Sequence, residues 1–130
     1  MGLFSFTQEI AMDLGTANTI ILNNGNIVVD EPSVVALDRR TDKMIAVGER
    51  AKMMYEKENP NIRTVRPLRD GVIAEYDVTE KMLKYFIGKA VGKKKFVKPR
   101  VMICIPSGVT SVEERAVKQA ALAAGAKEAY

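Results

Sequence analysis

The residues with the clearest chemical potential form one short segment near the start of the chain, Asp13-Leu14-Gly15-Thr16-Ala17-Asn18-Thr19. Asp13 lies at the end of an apolar stretch, and no cation stands beside it in the sequence to offset the cost of burying its carboxylate. Gly15 lets the backbone turn tightly and come close to a ligand. The small residues that follow can point their backbone N–H groups at an anion, and these residues are Thr16, Ala17 and Asn18.

Residue types alone leave two interpretations of this segment open. A turn beside a carboxylate can bind phosphate groups and hold hydrated Mg²⁺ at Asp13, usually through water because Mg²⁺ sheds its waters reluctantly. The segment can also be an ordinary β-turn in which Gly15 and Asn18 only provide the geometry. For a bare D-x-G-T pattern the ordinary turn is the better interpretation. The position of this segment between a strand and a hairpin favours the phosphate site.

Three predicted strands hold the segment in place, and they cover Ile10–Leu14, Thr19–Leu22 and Ile27–Asp30. Between the second and third lie Asn24 and Gly25, which tolerate positive φ and therefore predict a tight hairpin. A second hairpin is predicted from strand-like residues 33–37 and 44–47 around a polar turn. Residues 49–58 are predicted to form a short helix that ends before Pro60.

Two amphipathic helices are predicted further along the chain. Asp77 and Glu80 have the spacing of a capping box at the start of the first, and Ser111 and Glu114 have it at the start of the second. The glycines predicted to end the two helices are Gly92 and Gly125. The predicted apolar stripes contain Met82, Leu83, Phe86, Ile87, Ala90 and Val91 in the first helix, and Val112, Ala116, Val117, Ala120, Ala121 and Ala124 in the second.

The run Val101–Ile105 separates these helices and shows no polar alternation, which is typical of a strand covered on both faces. Cys104 within it is therefore predicted to be a buried core thiol. Residues 127–130 are predicted to begin a further strand. The order of elements predicts an α/β fold in which helices flank a mixed β-sheet.

The composition excludes several classes of site. The 130 residues contain 20 Lys and Arg against 16 Asp and Glu, and the net charge of +4 selects neither nucleic acid nor membrane as a partner. The chain has no histidine, so His-based catalysis and His-ligated metals are excluded. A single cysteine forbids an internal disulfide and fits a reducing compartment. Since no apolar run can span a bilayer and the N-terminus lacks signal-peptide features, we expect a cytoplasmic protein.

The segment Asp13–Thr19 resembles the first phosphate motif of the superfamily that contains actin, sugar kinases and heat-shock chaperone ATPases. Its string DLGTANT is typical of the MreB family of bacterial actin-like proteins. Further strings typical of that family are found at Glu31–Ala36, Ala46–Gly48, Arg66–Ala74, Thr79–Ile87, Pro99–Val101, Pro106–Gly108 and Glu113–Val117. The resemblance runs in register from about residue 10 to residue 130.

The resemblance implies an actin-like ATPase with a ribonuclease-H-like sheet, divided into two subdomains. Residues 1–31 and 73–130 would form subdomain IA, and residues 32–72 would form the small α/β subdomain IB inserted into it. Asp13 would organise Mg²⁺ and its waters, while the turn from Gly15 to Asn18 would hold the β- and γ-phosphates of ATP.

The resemblance also implies a function. Family members are weak ATPases that polymerise into membrane-associated filaments, act with the cell-wall elongation machinery and direct rod cell shape. The acidic residue that positions the attacking water in the family lies beyond residue 130, so no catalytic residue is expected in this chain. The chain ends without a polar tail, which indicates a piece of a longer protein. A chaperone ATPase or a small-molecule kinase of the same superfamily remains the alternative.

A basic loop is the candidate membrane contact. Residues 93–100 place Phe96 and Val97 among lysines, and Lys94 and Lys95 could be attracted to anionic headgroups while the apolar pair enters the acyl boundary. Spacing alone favours a solvated loop whose apolar residues cap the core. The resemblance favours peripheral attachment to the inner face of the cell membrane, because the family carries an apolar membrane loop at this place.

Two further interpretations are weaker. The N-terminal residues Leu3, Phe4 and Phe6 are a second candidate anchor, but they have no Lys or Arg around them. Nucleic acid is not an expected partner, because the lysine run has a single aromatic residue and no binding signature accompanies it.

Overall fold

The structure is a computed structural model, and it describes residues 9–56, 60–69, 72–73, 75–92, 99–104 and 110–130. The strands are β1 (Glu9–Leu14), β2 (Asn18–Asn23), β3 (Asn26–Pro32), β4 (Val35–Asp38), β5 (Met44–Val47), β6 (Ile62–Val65), β7 (Leu68–Arg69), β8 (Val72–Ile73), β9 (Arg100–Cys104) and β10 (Glu128–Ala129). The helices are α1 (Glu49–Glu56), α2 (Tyr76–Val91) and α3 (Ser111–Ala123).

The main sheet has five strands in the order β10-β9-β1-β2-β3. β1, β2 and β3 form an antiparallel meander, whereas β9 runs parallel to both β1 and β10. The predicted mixed sheet with flanking helices is therefore confirmed. β1 lies at the centre, so the turn that follows it emerges from the middle of one sheet edge.

One face of this sheet packs against α2 and α3. Alternate side chains of β1, including Ile10 and Met12, are buried in one cluster with Phe86 of α2 and Val117 of α3. This burial explains the predicted apolar stripe of α2, all of which is buried except the partly exposed Val91. Val112 in α3 departs from prediction, since it is 74% exposed.

The opposite face of the sheet is not covered within the described residues. In β9 the side chains alternate, so that Val101 is buried while Met102 and Cys104 are exposed. The predictions that this strand is covered on both faces and that Cys104 is a core thiol are wrong. An unbroken apolar run shows that a strand lies in a sheet, but it does not show that this chain supplies both covering layers.

A smaller sheet of order β5-β4-β6 carries α1 on one side. β4 is buried on both faces, because Ala36 packs with Ala51 of α1 while Val35 and Leu37 join the main core. β7 and β8 pair separately, and the sequence patterns did not predict β6, β7 or β8. The division into residues 1–31 with 73–130 and residues 32–72 stays a prediction.

The local sequence signals predict some turns and helix ends correctly and misplace others. Asn24 and Gly25 have φ of 54° and 79°, as the predicted hairpin requires. Gly92 ends α2 with φ of 64°, but Asp77 lies inside its first turn, and the N-cap Glu75 makes no side-chain capping bond. The capping box of α3 uses Thr110 with Glu113 rather than Ser111 with Glu114, which is one residue earlier than predicted.

Among the residues described, no helix is long and apolar enough to cross a membrane.

Candidate phosphate-binding site

The candidate site is the turn of residues 15–17, which joins β1 to β2. The N–H of Gly15 donates to the carbonyl of Asn18 at 3.0 Å and closes the turn. A Cβ atom on Gly15 would stand only 2.6 Å from that same carbonyl oxygen. The turn therefore has no room for a side chain at Gly15, whether or not a ligand is bound.

The carbonyl side of the turn is held by two residues distant in sequence. The N–H of Ser33, at the end of β3, donates to the Ala17 carbonyl at 2.8 Å. Nη1 of Arg66, which follows β6, lies 3.2 Å from the Ala17 oxygen and 3.5 Å from the Thr16 oxygen. The small sheet thus contributes directly to the shape of a turn that belongs to the large one.

This anchoring determines where the N–H groups point. A trans peptide is planar, and its N–H lies opposite its C=O. Because the carbonyls of Thr16 and Ala17 face Arg66, the N–H groups of Ala17 and Asn18 face away from it. Within the described residues, the N–H groups of Thr16 and Ala17 donate to no protein acceptor. Free N–H groups in one turn are the arrangement that binds an anion.

The last residue of the segment supports this turn from inside. The hydroxyls of Thr19 and Ser33 are 2.7 Å apart, and both side chains are fully buried. This bond fixes β2 against β3 immediately behind the turn. Sequence reasoning assigned no role to Ser33 or Arg66, although both lie within the strings that carried the family resemblance.

Asp13 lies two residues before Gly15, on the uncovered face of the sheet, and pairs in register with Ile20 and Cys104. Its side chain is exposed, so the expectation of a buried, uncompensated carboxylate is wrong. β1 alternates, and Asp13 takes the face that α2 and α3 leave open. An exposed carboxylate needs no compensating cation and is accessible to a ligand approaching that sheet edge.

The fit of the site to Mg²⁺ can be judged from its ligands. In the described part of the chain, no three acidic, cysteine or histidine side chains lie close enough together to hold a metal ion. Asp13 is thus a single carboxylate beside the turn. This set does not form an all-protein cage, but Asp13 would suit a Mg²⁺ ion that keeps most of its waters.

The candidate membrane residues, Lys94, Lys95, Phe96 and Val97, lie outside the described residues, as does the N-terminal segment 1–8. Their assignment stays a prediction.

Residues 7–130 match the family described as "MreB/Mbl protein". The chain belongs to the MreB/Mbl family. It is 52% identical over 126 residues to the cell shape-determining protein Mbl of Bacillus subtilis (strain 168), and 96% of the chain aligns with 38% of that protein. It is 46% identical over 134 residues to the cell shape-determining protein MreB of Escherichia coli (strain K12), again with 96% of the chain against 38% of the relative. The chain therefore spans 38% of the length of these MreB/Mbl relatives.

Solved structures extend the comparison to the fold. The MreB5 protein of Spiroplasma citri bound to ADP superposes with a TM-score of 0.83 at 36% identity, covering 95% of this chain and 37% of that one. The same protein bound to AMPPNP gives a TM-score of 0.83 at 35% identity, covering 96% of this chain and 38% of that one. A chain of the MamK double helical filament gives 0.79 at 19% identity, covering 95% of this chain and 39% of its own length. The MreB/Mbl chain has the actin-like fold.

Proposed function

We propose that this chain supplies one wall of the ATP site of an actin-like filament protein that directs bacterial cell shape. The observation that carries the proposal is the anchored turn at residues 15–17. Ser33 and Arg66 hold its carbonyls at 2.8 Å and 3.2 Å, so its N–H groups face away from them. Support comes from MreB5, a relative of the same fold that has been crystallised with ADP and with AMPPNP.

In this proposal the turn of Gly15, Thr16, Ala17 and Asn18 holds the β- and γ-phosphates of ATP, and the N–H groups of Thr16 and Ala17, which donate to no acceptor among the described residues, provide the hydrogen bonds. Asp13 would help to hold a Mg²⁺ ion there by accepting hydrogen bonds from water molecules of the ion. The ion itself, when bound, neutralises charge on the phosphate oxygens. Protein hydrogen bonds hold the shape of the turn, so phosphate binding would cost little ordering of the backbone.

The proposal divides the chain into subdomain IA, residues 1–31 and 73–130, and subdomain IB, residues 32–72. Arg66 then lies in IB and its hydrogen-bond partners lie in IA. Slow ATP hydrolysis would be an activity of the whole protein. The residue that positions the attacking water would belong to the same protein but lie outside residues 1–130.

The wider function follows from family membership. Self-association into filaments, attachment to the inner face of the cell membrane through Lys94, Lys95, Phe96 and Val97, and contacts with the cell-wall elongation machinery are proposed for the whole protein. Its location would then be cytoplasmic and peripheral to the membrane.

The turn can be tested with two glycine substitutions in full-length protein. Gly15→Ala introduces a Cβ atom 2.6 Å from the Asn18 oxygen, whereas Gly88→Ala, in the last turn of α2, meets no atom within 4 Å. We expect calorimetry to show ATP binding at least about tenfold weaker for Gly15→Ala and unaltered for Gly88→Ala. Wild-type affinity in Gly15→Ala would remove the turn from the nucleotide site.

A further inference from the structure

A cavity of about 390 Å³ opens between the phosphate-site turn and the small sheet. Thr16 lines it from the turn, and Thr64 lines it from β6. Its apolar floor is formed by Val34 and Leu68, which are 5% and 1% exposed. The cavity therefore has a packed base and polar walls, and one wall is the turn itself.

Positive charge dominates the walls of this cavity. Lys52 of α1, Arg66 and Arg69 of β7 all line it, and none of the described lining residues is acidic. Neither Lys52 nor Arg69 forms an ion pair with any described residue. Three like charges around one concave surface repel each other and focus a positive potential into it, which an anion would relieve.

Arg66 has donors to spare for such an anion. A guanidinium group carries five N–H donors in a planar fork, and this geometry matches the oxygens of a phosphate group. Among the described residues Arg66 uses only Nη1, for the carbonyls of Thr16 and Ala17. Arg66 lines the cavity on the carbonyl side of the turn, opposite the N–H groups of Ala17 and Asn18, and its other donors form no hydrogen bond with a described residue.

The ATP hydrolysis proposed for the neighbouring turn indicates which anion this cavity would bind. ATP hydrolysis transfers the γ-phosphoryl group to water and yields ADP, inorganic phosphate and a proton, so in the proposed function phosphate is produced at the turn whose Thr16 also lines this cavity. A volume of about 390 Å³ accommodates a phosphate ion with several waters, each of which takes up about 30 Å³. We propose that Lys52, Arg66 and Arg69 form a binding site for inorganic phosphate beside the nucleotide turn. This inference rests on the proposed nucleotide function and assigns the place of its second product.

The test is calorimetric titration of inorganic phosphate into full-length protein saturated with ADP. The double variant Lys52→Ala with Arg69→Ala removes two cations from the cavity, and both side chains are exposed, so the fold should tolerate it. We expect phosphate to bind about tenfold more weakly than to wild type. The charge-conserving variant Lys52→Arg with Arg69→Lys should stay within about threefold of wild type, because the charges remain.

A matched control removes the same charge elsewhere on the small sheet. Arg40→Ala with Lys43→Ala affects two exposed cations of the β4–β5 turn that do not line the cavity. Phosphate affinity should change by less than about twofold, because salt screens the electrostatic effect of exposed charges that lie away from the cavity. Equal losses in the two double variants, or no phosphate binding to wild type, would overturn the proposal. Neither result bears on the proposed function, which depends on ATP binding to Gly15→Ala.

Discussion

The carboxylate of Glu31 in β3 is ion-paired with the ammonium group of Lys89 in the last turn of α2. The other carboxylate oxygen accepts the N–H of Glu49 at 3.1 Å, at the start of α1. The Glu31 side chain is 10% exposed and that of Lys89 is 48% exposed. One nearly buried acid therefore joins the large sheet, its covering helix and the helix of the small sheet, which fixes how the small sheet sits on the large one.

This ion pair predicts a pH dependence of stability. The hydrogen bond to Glu31 raises the pKa of Lys89 above its ordinary value of 10.5, with smaller contributions from the charges of Glu31 and Tyr85. The folded state thus holds the proton more tightly than the unfolded state. The stabilisation is complete below about pH 10.5 and is lost as the pH rises through the raised pKa.

We therefore expect Lys89→Met to lower the thermal midpoint at pH 8. The corresponding loss in the free energy of unfolding is about 0.5–1.5 kcal/mol, a small value because the lysine is half exposed. The difference from wild type should shrink above pH 10.5. Lys84→Met is the control, since Lys84 is an exposed lysine of the same helix without an ion pair among the described residues. If the loss of stability in Lys89→Met is unchanged at pH 11.5, about one unit above the ordinary lysine pKa, packing and not charge is responsible for it.

Gly48 gives a second prediction at the same junction. It has φ of 72°, and a Cβ atom placed on it would overlap Oε1 of Glu31. Gly25 has a similar φ of 79° but open space around it. Gly25→Ala should cost about 1–2 kcal/mol from backbone strain alone, and Gly48→Ala should cost at least about 1 kcal/mol more because Glu31 must move. Denaturation midpoints measure both, and equal losses would show that Glu31 adapts freely.

Asp13 gives a third prediction, about the metal. In full-length protein Asp13→Ala should abolish Mg²⁺-dependent ATP turnover, because the exposed carboxylate is the group proposed to orient the ion's waters. Asp30→Ala, an exposed acid elsewhere on the same sheet, is the matched control. Phosphate-release assays over a Mg²⁺ titration provide the measurement. Normal turnover in Asp13→Ala would exclude the carboxylate from the site.

A fourth prediction concerns the 130-residue chain by itself. In the proposed function it supplies phosphate contacts only, and the contacts to the base and ribose of ATP would come from the rest of the protein, so most terms that offset the entropy of association are missing. We expect calorimetry to detect ATP binding weaker than about 1 mM, or none. A dissociation constant near 1 μM, or about 8 kcal/mol of binding energy, would mean that this wall suffices.

The membrane hypothesis is tested by liposome co-sedimentation of full-length protein. Each lysine near an anionic surface contributes about 1 kcal/mol, and burying Phe96 and Val97 adds about 3 kcal/mol at most. One subunit should bind reversibly, and filaments should bind firmly because linked subunits raise the effective concentration of the next anchor. Phe96→Ser with Val97→Ser should abolish pelleting, and added salt should weaken it.

The control for that experiment is Val112→Ser with Leu122→Ser, which removes two exposed apolar residues of α3. It should pellet like wild type. If the Phe96 and Val97 variant also pellets like wild type on anionic vesicles, the loop is not the anchor, and Leu3, Phe4 and Phe6 become the next residues to test.

Elements encoded by neighbouring residues could be predicted from the sequence. The Asn24-Gly25 hairpin follows from two residues that accept positive φ. The sequence misplaces the start of α3 by one residue, because Thr110 with Glu113 and Ser111 with Glu114 both satisfy the same four-residue pattern and the pattern alone does not choose between them.

Relationships between distant residues could not be predicted in this way. Arg66 and Ala17 are 49 positions apart, and no local periodicity connects an arginine after one strand to a carbonyl in another sheet. The exposure of Cys104 and Asp13 has a similar cause. Both lie on a sheet face whose covering depends on which elements the fold places there, and a run of apolar residues carries no information about that.

The central position of β1 also has a consequence for the order in which the protein assembles during synthesis. One edge of β1 pairs with β9, whose partner for Ile10 is Val101, while β4, β5 and β6 lie together within residues 35–65. At roughly 5–20 residues per second, the ribosome completes the small sheet several seconds before it produces β9. During that interval β1 presents an unpaired edge in the growing chain, which is the form in which strands join the wrong partner. Until residue 104 has left the ribosome, the nascent protein therefore keeps a strand edge that favours aggregation.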